Sequence, residues 1–549
     1  MRRIVLIIII LVLGIPLSTF AEWPVGGVQL SGTVSDWGLQ WDVVTDGEGG
    51  AWIVWTDPSD DLWDIRVQHI DNEGNLMFEL PGLKVVDDPD VQQRPNACSD
   101  MRGGMVLCWE DYRSGSRQDP YAQRIDRNGN IMWDSNGIPI ILHPNEQFDV
   151  KLKTNSTGYT IFAWTDVRGT QGIPTEVYAQ CFDIDGNRQW DSLGLLIAGG
   201  NDDQFKSDVS MDSSGFFYIT WQDQREDSAV GGIYAQKIDS NGDIYWDEAG
   251  IRVGYGLLGD VSKIYSVTID GHGGLFFSWY ERHTGQAEVY TGWIDSLESV
   301  PWGLEGIQIT NVGAWKTMIE YDGFNGAYIS WKLSVDEHRI QKIKMGTIEE
   351  ALQWEENGRL VMLNNDSEPT ALVNVSDGEW ILHTSSGSGN FSQKFDTTGQ
   401  NVWDINGKNV WQCRDYTGVT DNEGGTLVFG GRSYKLWAQR IYSDGHYAGE
   451  TAVFDDFDDN IPSTYLLHNP YPNPFNFTTT LKYSIPVLES GNAIVIYNLL
   501  GQRIDEIRIL NGNLYGSVLW DASEFASGIY FARLNGAHAS NVIKLVLMK

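Results

Sequence analysis

A short apolar strand that ends in tryptophan recurs along most of this chain, and it fixes what the chain can become. The copies are AWIVW to Trp55, MVLCW to Trp109, TIFAW to Trp164, FYITW to Trp221, LFFSW to Trp279 and AYISW to Trp331. Two degenerate copies follow, EWILH to His383 and GTLVF to Phe429, which makes eight units spaced 46 to 58 residues apart. A unit of this length cannot bury its apolar face alone, so the copies must pack on one another.

Each unit reads as four strands. Strand one precedes a glycine turn such as VVTDGEGG (43–50), and strand two carries the tryptophan. Strand three is YAQRID (121–126) or a variant, and strand four follows a turn, as in GNIMWDSNGIPI (129–140). Alternating apolar positions, β-branched and aromatic residues, and Asp, Asn and Gly turns specify antiparallel hairpins. Four strands per repeat predict an all-β, eight-bladed propeller over residues 22–455. Residues 23–30, WPVGGVQL, resemble Trp133–Ile140, which is strand-four material, yet they precede the first strand one. They could complete the last blade and remove two sheet edges. Residues 449–454, GETAVF, compete for the same slot, and the sequence leaves that choice open.

The repeats offer two sets of candidate ligands. The loops after strand two carry W-x-D-x-R: Asp111 and Arg113, Asp166 and Arg168, Asp223 and Arg225, with Glu281 and Arg282 in the fifth repeat. In a meander these loops share one face with the loops after strand four, where hydrogen bonding and stacking could hold a sugar. Repetition favours a structural role, in which each ion pair fixes its own turn. On the other face, the Asp126, Asp183 and Asp239 turns place oxygen donors at alternate positions. Such loops could wrap Ca²⁺, but the pattern lacks the bidentate Glu of a helix–loop–helix site, and tight hairpins need the same residue types. No metal site or cofactor is assigned. Cys98 and Cys108 flank a turn and could form a disulfide across a hairpin, or remain two buried thiols. Cys181 and Cys413 have no nearby partner in the sequence. No nucleophile, zinc or phosphate-loop motif occurs, so no catalytic residue is assigned and enzymatic activity stays open, with non-enzymatic roles favoured.

The formal net charge of −36 argues against nucleic acid and anionic lipid surfaces as partners. At the N-terminus, Arg2 and Arg3 precede the apolar run Ile4–Leu17, with small residues Thr19 and Ala21 ahead of Glu22. This reads as a signal peptide over residues 1–21, too short in its apolar core for a membrane span, and no later segment could span a bilayer.

Residues 456–464 read as an acidic linker. Beyond it the pattern changes to strands of non-repeating spacing, as expected for a small Ig-like β-sandwich over residues 465–549. The tail carries NPYPNPFN (469–476), TTLKYSIP (479–486), VIYNLLGQRI (495–504), VLWDASEFASGIYFARL (518–534) and KLVLMK (544–549). It resembles the C-terminal sorting domain of the type IX secretion system of the Bacteroidetes and related phyla. The matching residues include Pro472, Asn473, Pro474, Phe475, Gly501, Gly528 and Lys544, while Phe477 departs from a usual proline. The resemblance implies passage through the periplasm, recognition by the type IX machinery, and secretion or attachment at the outer cell surface. The expectation for the whole chain is a secreted or surface-held binding or structural propeller that contacts a glycan or a surface protein. The alternative is a carbohydrate-active hydrolase or lyase with acids in the propeller funnel.

Overall fold

The computed structural model describes residues 23–548, apart from residues 25, 33–39, 59–62, 116–117, 169–173, 226–230, 256–264, 283–286, 334–336, 364–366, 377, 387–388, 411–412, 433, 448–465, 468–469, 471–472, 474, 485–492, 509–514 and 536–541. The signal-peptide reading of residues 1–21 and the candidate strand 449–454 lie outside the described residues. The chain divides into two compact units, Met1–Val453 and Phe454–Lys549.

The first unit is an eight-bladed β-propeller. Seven four-stranded antiparallel sheets follow one another in chain order, from the blade of Trp41–Thr45, Ala51–Asp57, Asp64–Ile70 and Leu83–Lys84 onward. The eighth blade takes Arg414–Thr420, Thr426–Arg432 and Lys435–Ile441 from the end of the unit and Val28–Gln29 from its beginning. Val28 pairs with Ala438 and Gln29 with Trp437. The first strands of successive blades lie side by side around the ring, and that of blade 8 returns to that of blade 1.

The N-terminal segment fills the strand-four slot because it carries the strand-four chemistry. In blades 2 to 4 the strand-three glutamine is fully buried and donates to a carbonyl at the strand-four turn: Gln123 to Asp134, Gln180 to Asp191 and Gln236 to Asp247, at 2.7–2.8 Å. Gln439 makes the corresponding bond to the Pro24 carbonyl at 3.4 Å. The strand-four tryptophans reach the next blade's turn, Trp133 donating to the Ile184 carbonyl and Trp190 to that of Ser240. Trp23, 2% exposed, does the same from blade 8 to blade 1 by donating to the Asn72 carbonyl at 2.9 Å. Its ring joins a core made of Ile53 and Trp55 on one side of the seam and Leu427 and Phe429 on the other.

Inside each blade the strand-two tryptophan is the central packing element. Trp55, Trp109, Trp164, Trp221, Trp279 and Trp331 are at most 1% exposed. In blades 2 to 5 each ring stacks on the strand-three tyrosine: Trp109 on Tyr121, Trp164 on Tyr178, Trp221 on Tyr234 and Trp279 on Tyr290, with centroids 5.9–6.3 Å apart. Cys98 and Cys108 are buried free thiols in this structure. The register opposes Cys108 to Asn96 and Cys98 to Val106, so the two are never directly across from each other.

The second unit is a β-sandwich. One sheet orders Leu466–Leu467, Thr478–Ser484 and Tyr515–Asp521; the other orders Arg503–Arg508, Ala493–Tyr497, Gly528–Asn535 and Val542–Leu547. Leu481, Ile494, Ile496, Trp520, Leu534 and Leu545 fill the space between. Among the described residues no helix is long and apolar enough to cross a membrane.

Candidate binding site at the mouth of the central channel

The W-x-D-x-R residues turn out to be fastenings. Trp109 Nε1 donates to Asp111 Oδ2 at 2.8 Å, and Arg113 clamps the same carboxylate through Nε at 2.8 Å and Nη2 at 2.6 Å. Arg113 also donates to the Asn136 carbonyl and lies over the Tyr121 ring, 4.1 Å from its centroid. Asp166 and Arg168 repeat the arrangement with Trp164, Leu193 and Tyr178. Asp223 and Arg225 repeat it with Trp221, Ala249 and Tyr234. Burial opposes ionisation of Asp223, but the Arg225 and Trp221 hydrogen bonds outweigh it and hold the carboxyl below its usual range. Each carboxylate is buried and accepts from the tryptophan and arginine of its own blade, although Asp166 Oδ1 and Arg168 Nε are left without a hydrogen-bond partner. Glu281 and Arg282 lie in the strand Leu275–Arg282, and their side chains are outside the described set.

The acidic turns on the opposite face are likewise occupied. Asp126 Oδ1 accepts the backbone N–H groups of Asn128 and Asn130 at 2.9 and 2.8 Å, while Asn130 Nδ2 donates to Asp126 Oδ2. Asp183 and Asp239 do the same in blades 3 and 4. The oxygens that could have faced a Ca²⁺ ion instead close their own turns. Among the described residues no three His, Cys, Asp or Glu side chains gather as a metal site.

A different set of charged residues stands where the first strands begin. Strand one of several blades carries a bulge near its start, and a charged residue at that bulge takes a left-handed backbone. The residues are Arg94 (φ 52°), Asp149 (φ 58°), Lys206 (φ 53°), Lys316 (φ 56°) and Asp415 (φ 53°). Glycine or asparagine suits such a conformation best, and a long charged side chain there costs on the order of 1 kcal/mol. Five blades accept that cost. Geometry alone would be met by glycine; Arg94, Asp149 and Lys316 pair instead with Glu110, Lys151 and Glu368.

Since the first strands line the ring, these bulges stand around one mouth of the central channel. Beside the bulges of blades 2 to 4 lies a cavity of about 900 Å³, with Arg94, Glu110, Phe148, Lys151, Phe205 and Lys206 in its wall. Arg94 Nη1 lies 3.3 Å from Glu110 Oε2; the arginine side chain is 56% exposed and the glutamate 6%. Burial pushes the Glu110 carboxyl upward despite that arginine. Lys151 Nζ donates to Asn96 Oδ1 at 3.1 Å and lies 3.7 Å from Asp149. Farther along the first strands come Asp42, Lys153, Asp208 and Glu320. Asp42 Oδ2 accepts the Ala97 N–H of the neighbouring blade at 2.9 Å, and burial pushes its carboxyl upward. Glu320 faces the channel from blade 6. Desolvation by the surrounding walls pushes its carboxyl up to about 7, with Lys153 opposing and Asp208 reinforcing the shift.

The sequence reading passed over these residues. The available signal is a tripeptide that opens strand one in three blades, Gln-x-charged: QQR at 92–94, QFD at 147–149 and QFK at 204–206. Gln92, Gln147 and Gln204 are fully buried. The charged third residue is where the strand leaves its regular register.

The second unit has its own arrangement. Asn473 Nδ2 donates to the Lys544 carbonyl at 2.8 Å and Asn473 Oδ1 accepts the Val546 N–H at 2.7 Å. Phe475 continues along the same edge, its N–H donating to Val546 and its carbonyl accepting from Met548. Its ring is 3% exposed and packs on Trp520. Gly501 closes the turn after Ala493–Tyr497 at φ 74°, and Gly528 opens the strand Gly528–Asn535. A family model described as a secretion system C-terminal sorting domain matches residues 469–548. The C-terminal unit is a type IX sorting domain. With a sorting domain at its end, the chain is exported to the outer cell surface or secreted.

A search of curated proteins finds no match. Among solved structures the chain is similar to polysaccharide lyase Uly1 at 10% identity, over 69% of this chain and 92% of that one, with a TM-score of 0.40. A PL25 ulvan lyase matches at 10% identity over 56% and 79%, with a TM-score of 0.37. A puromycin-hydrolysing peptidase of Mycobacterium tuberculosis matches at 12% over 84% of this chain, which spans 61% of that peptidase, with a TM-score of 0.41. At TM-scores below 0.5, none of these bears on the activity of this chain.

Proposed function

We propose that this protein is a binding propeller that the type IX machinery delivers outside the cell, and that it holds a glycan at the mouth of its central channel. The observation that carries this reading is the ring of charged side chains kept in left-handed backbone at the strand-one bulges, beside a cavity of about 900 Å³. Charged and amide groups there offer hydrogen bonds to sugar hydroxyls, and Phe148 and Phe205 offer ring faces for the apolar side of a pyranose. The leader at residues 1–21 takes the chain to the periplasm first. The test is a glycan array probed with the purified protein and with an Arg94→Ala, Lys206→Ala double variant. Binding at least tenfold weaker in the variant, with an unchanged melting transition, supports the reading. Glycan binding that the double variant leaves intact overturns this site, and selective capture of a cell-surface protein instead overturns the glycan assignment.

One observation favours an enzymatic alternative. Glu320 is exposed to solvent on strand one of blade 6, where desolvation pushes its carboxyl up to about 7 with Lys153 and Asp208 acting on it, the condition a general acid–base group needs. Turnover of a polysaccharide that Glu320→Gln abolishes would establish that reading in place of simple binding.

A further inference from the structure

Among the described residues, Val542–Leu547 is the last strand of its sheet, with Gly528–Asn535 as its regular partner. Its outer edge presents backbone groups that need partners or water. Four of them are met by the segment that begins the sorting domain. Asn473 takes the Lys544 carbonyl and the Val546 N–H through its side-chain amide; Phe475 takes the Val546 carbonyl and the Met548 N–H through its backbone. Phe475 bridges Leu547 in parallel fashion.

The residue types explain the division of labour. Prolines flank Asn473 at 472 and 474, and neither has an N–H to give a ladder. A side-chain carboxamide carries a donor and an acceptor in one plane, as a peptide group does, so Asn473 can replace the missing strand neighbour. Alanine has neither group, and aspartate keeps only the acceptor.

We infer that Asn473 is the positioning residue that makes the two ends of the sorting domain into one export signal. By binding the edge of Val542–Leu547 it fixes that strand's register and holds its outward residues, Val542, Lys544 and Met548, for the type IX machinery. Asn473 and Phe475 therefore act as one unit with Lys544–Met548, although the rest of the domain separates them in sequence. This inference concerns export alone and stands whether or not the propeller binds a glycan.

The test uses the full chain in a type IX-competent host and compares the fraction of protein outside the cell with that left in the periplasm. Asn473→Ala is expected to reduce export at least tenfold, and Asn473→Asp by an intermediate amount. Because Asn473→Ala also removes stabilising bonds, a core variant, Ile494→Ala, serves as the control. Ile494 is fully buried, and its strand pairs with Arg503–Arg508 and Gly528–Asn535, not with Val542–Leu547. Export that survives in Ile494→Ala while failing in Asn473→Ala, at comparable melting of the sorting domain, supports the inference. Wild-type export of Asn473→Ala overturns it, as does equal failure of both variants.

Discussion

The Cα of Gly137 faces the edge of the Trp109 indole so closely that a β-carbon on Gly137 would lie less than 3.0 Å from Trp109 Cη2. The same relationship recurs between Gly194 and Trp164, Gly250 and Trp221, Gly306 and Trp279, and Gly358 and Trp331. Each indole is thus roofed by the turn that leads into strand four. Gly137 also has φ 76° and its N–H closes the turn on the Asp134 carbonyl. Gly137→Ala should destabilise the propeller by about 2–4 kcal/mol, combining backbone strain with overpacking. Gly47, at φ 80° with no atom within 4 Å of an added β-carbon, separates the two effects. Gly47→Ala should cost only about 1 kcal/mol. Urea denaturation of the two variants checks the difference, and equal losses would mean the indole contact contributes nothing.

Asp111 binds Trp109 Nε1 and the Arg113 guanidinium while fully buried. Asp111→Ala leaves an indole N–H and a half-buried cation without their acceptor. Breaking a buried pair in this way costs about 3–5 kcal/mol. The variant should therefore melt at a clearly lower temperature, yet its affinity for any ligand of the channel mouth should match that of the wild type, measured below the melting transition. Weakened binding without loss of stability would return the W-x-D-x-R loops to the list of ligand contacts.

Removal of residues 23–30 strips blade 8 of its fourth strand and exposes the core that Trp23 and Leu30 share with blades 1 and 8. Trp23→Ala alone should cost about 3–5 kcal/mol, as for other buried aromatic truncations. The deletion should cost more and leave the seam between blades 8 and 1 the first to exchange its amide hydrogens. Hydrogen exchange resolved along the chain reads this directly. A seam as protected in the deletion variant as in the wild type would show that another segment fills the slot.

The repeat was legible because its packing is built from large, rare residues at fixed offsets. Tryptophan at the end of strand two, Gln in strand three and the D-x-x-G turn are each demanded by a specific buried contact. The closing strand was legible as one of two candidates, since WPVGGVQL keeps the tryptophan and glycine that Trp133 and Gly137 supply elsewhere, while GETAVF (449–454) competed for the slot. The loop function of Asp111 and Arg113 was harder to weigh: one sequence does not say whether an Asp–Arg pair turns inward to its own blade or outward to a ligand. The channel mouth was not read at all. A bulge shifts register by one residue, and its one mark in the sequence, the Gln-x-charged opening of strand one in three blades, says nothing about backbone conformation until the register is known. Glu320 was invisible for another reason, because its environment is made by Lys153 and Asp208 from blades 3 and 4, more than 100 residues away in the chain.

Glu320 gives a pH-dependent prediction whose sign follows from its shift. Desolvation pushes its carboxyl up to about 7 in the folded protein, from 4.5 in an unfolded chain. Between those values the folded state holds a proton that the unfolded state has released. This group therefore lowers stability as pH rises from about 4.5 to about 7, and its effect is constant above that range. Glu320→Gln, which stays neutral, removes the dependence. The melting temperature of the variant relative to the wild type should accordingly increase between pH 5 and pH 7.5 and level off beyond. The channel's water screens the carboxylate, so the gain is expected to be a small part of the total stability. Melting curves of both proteins across that range supply the test, and a difference that does not change with pH would mean that Glu320 is already ionised at pH 5.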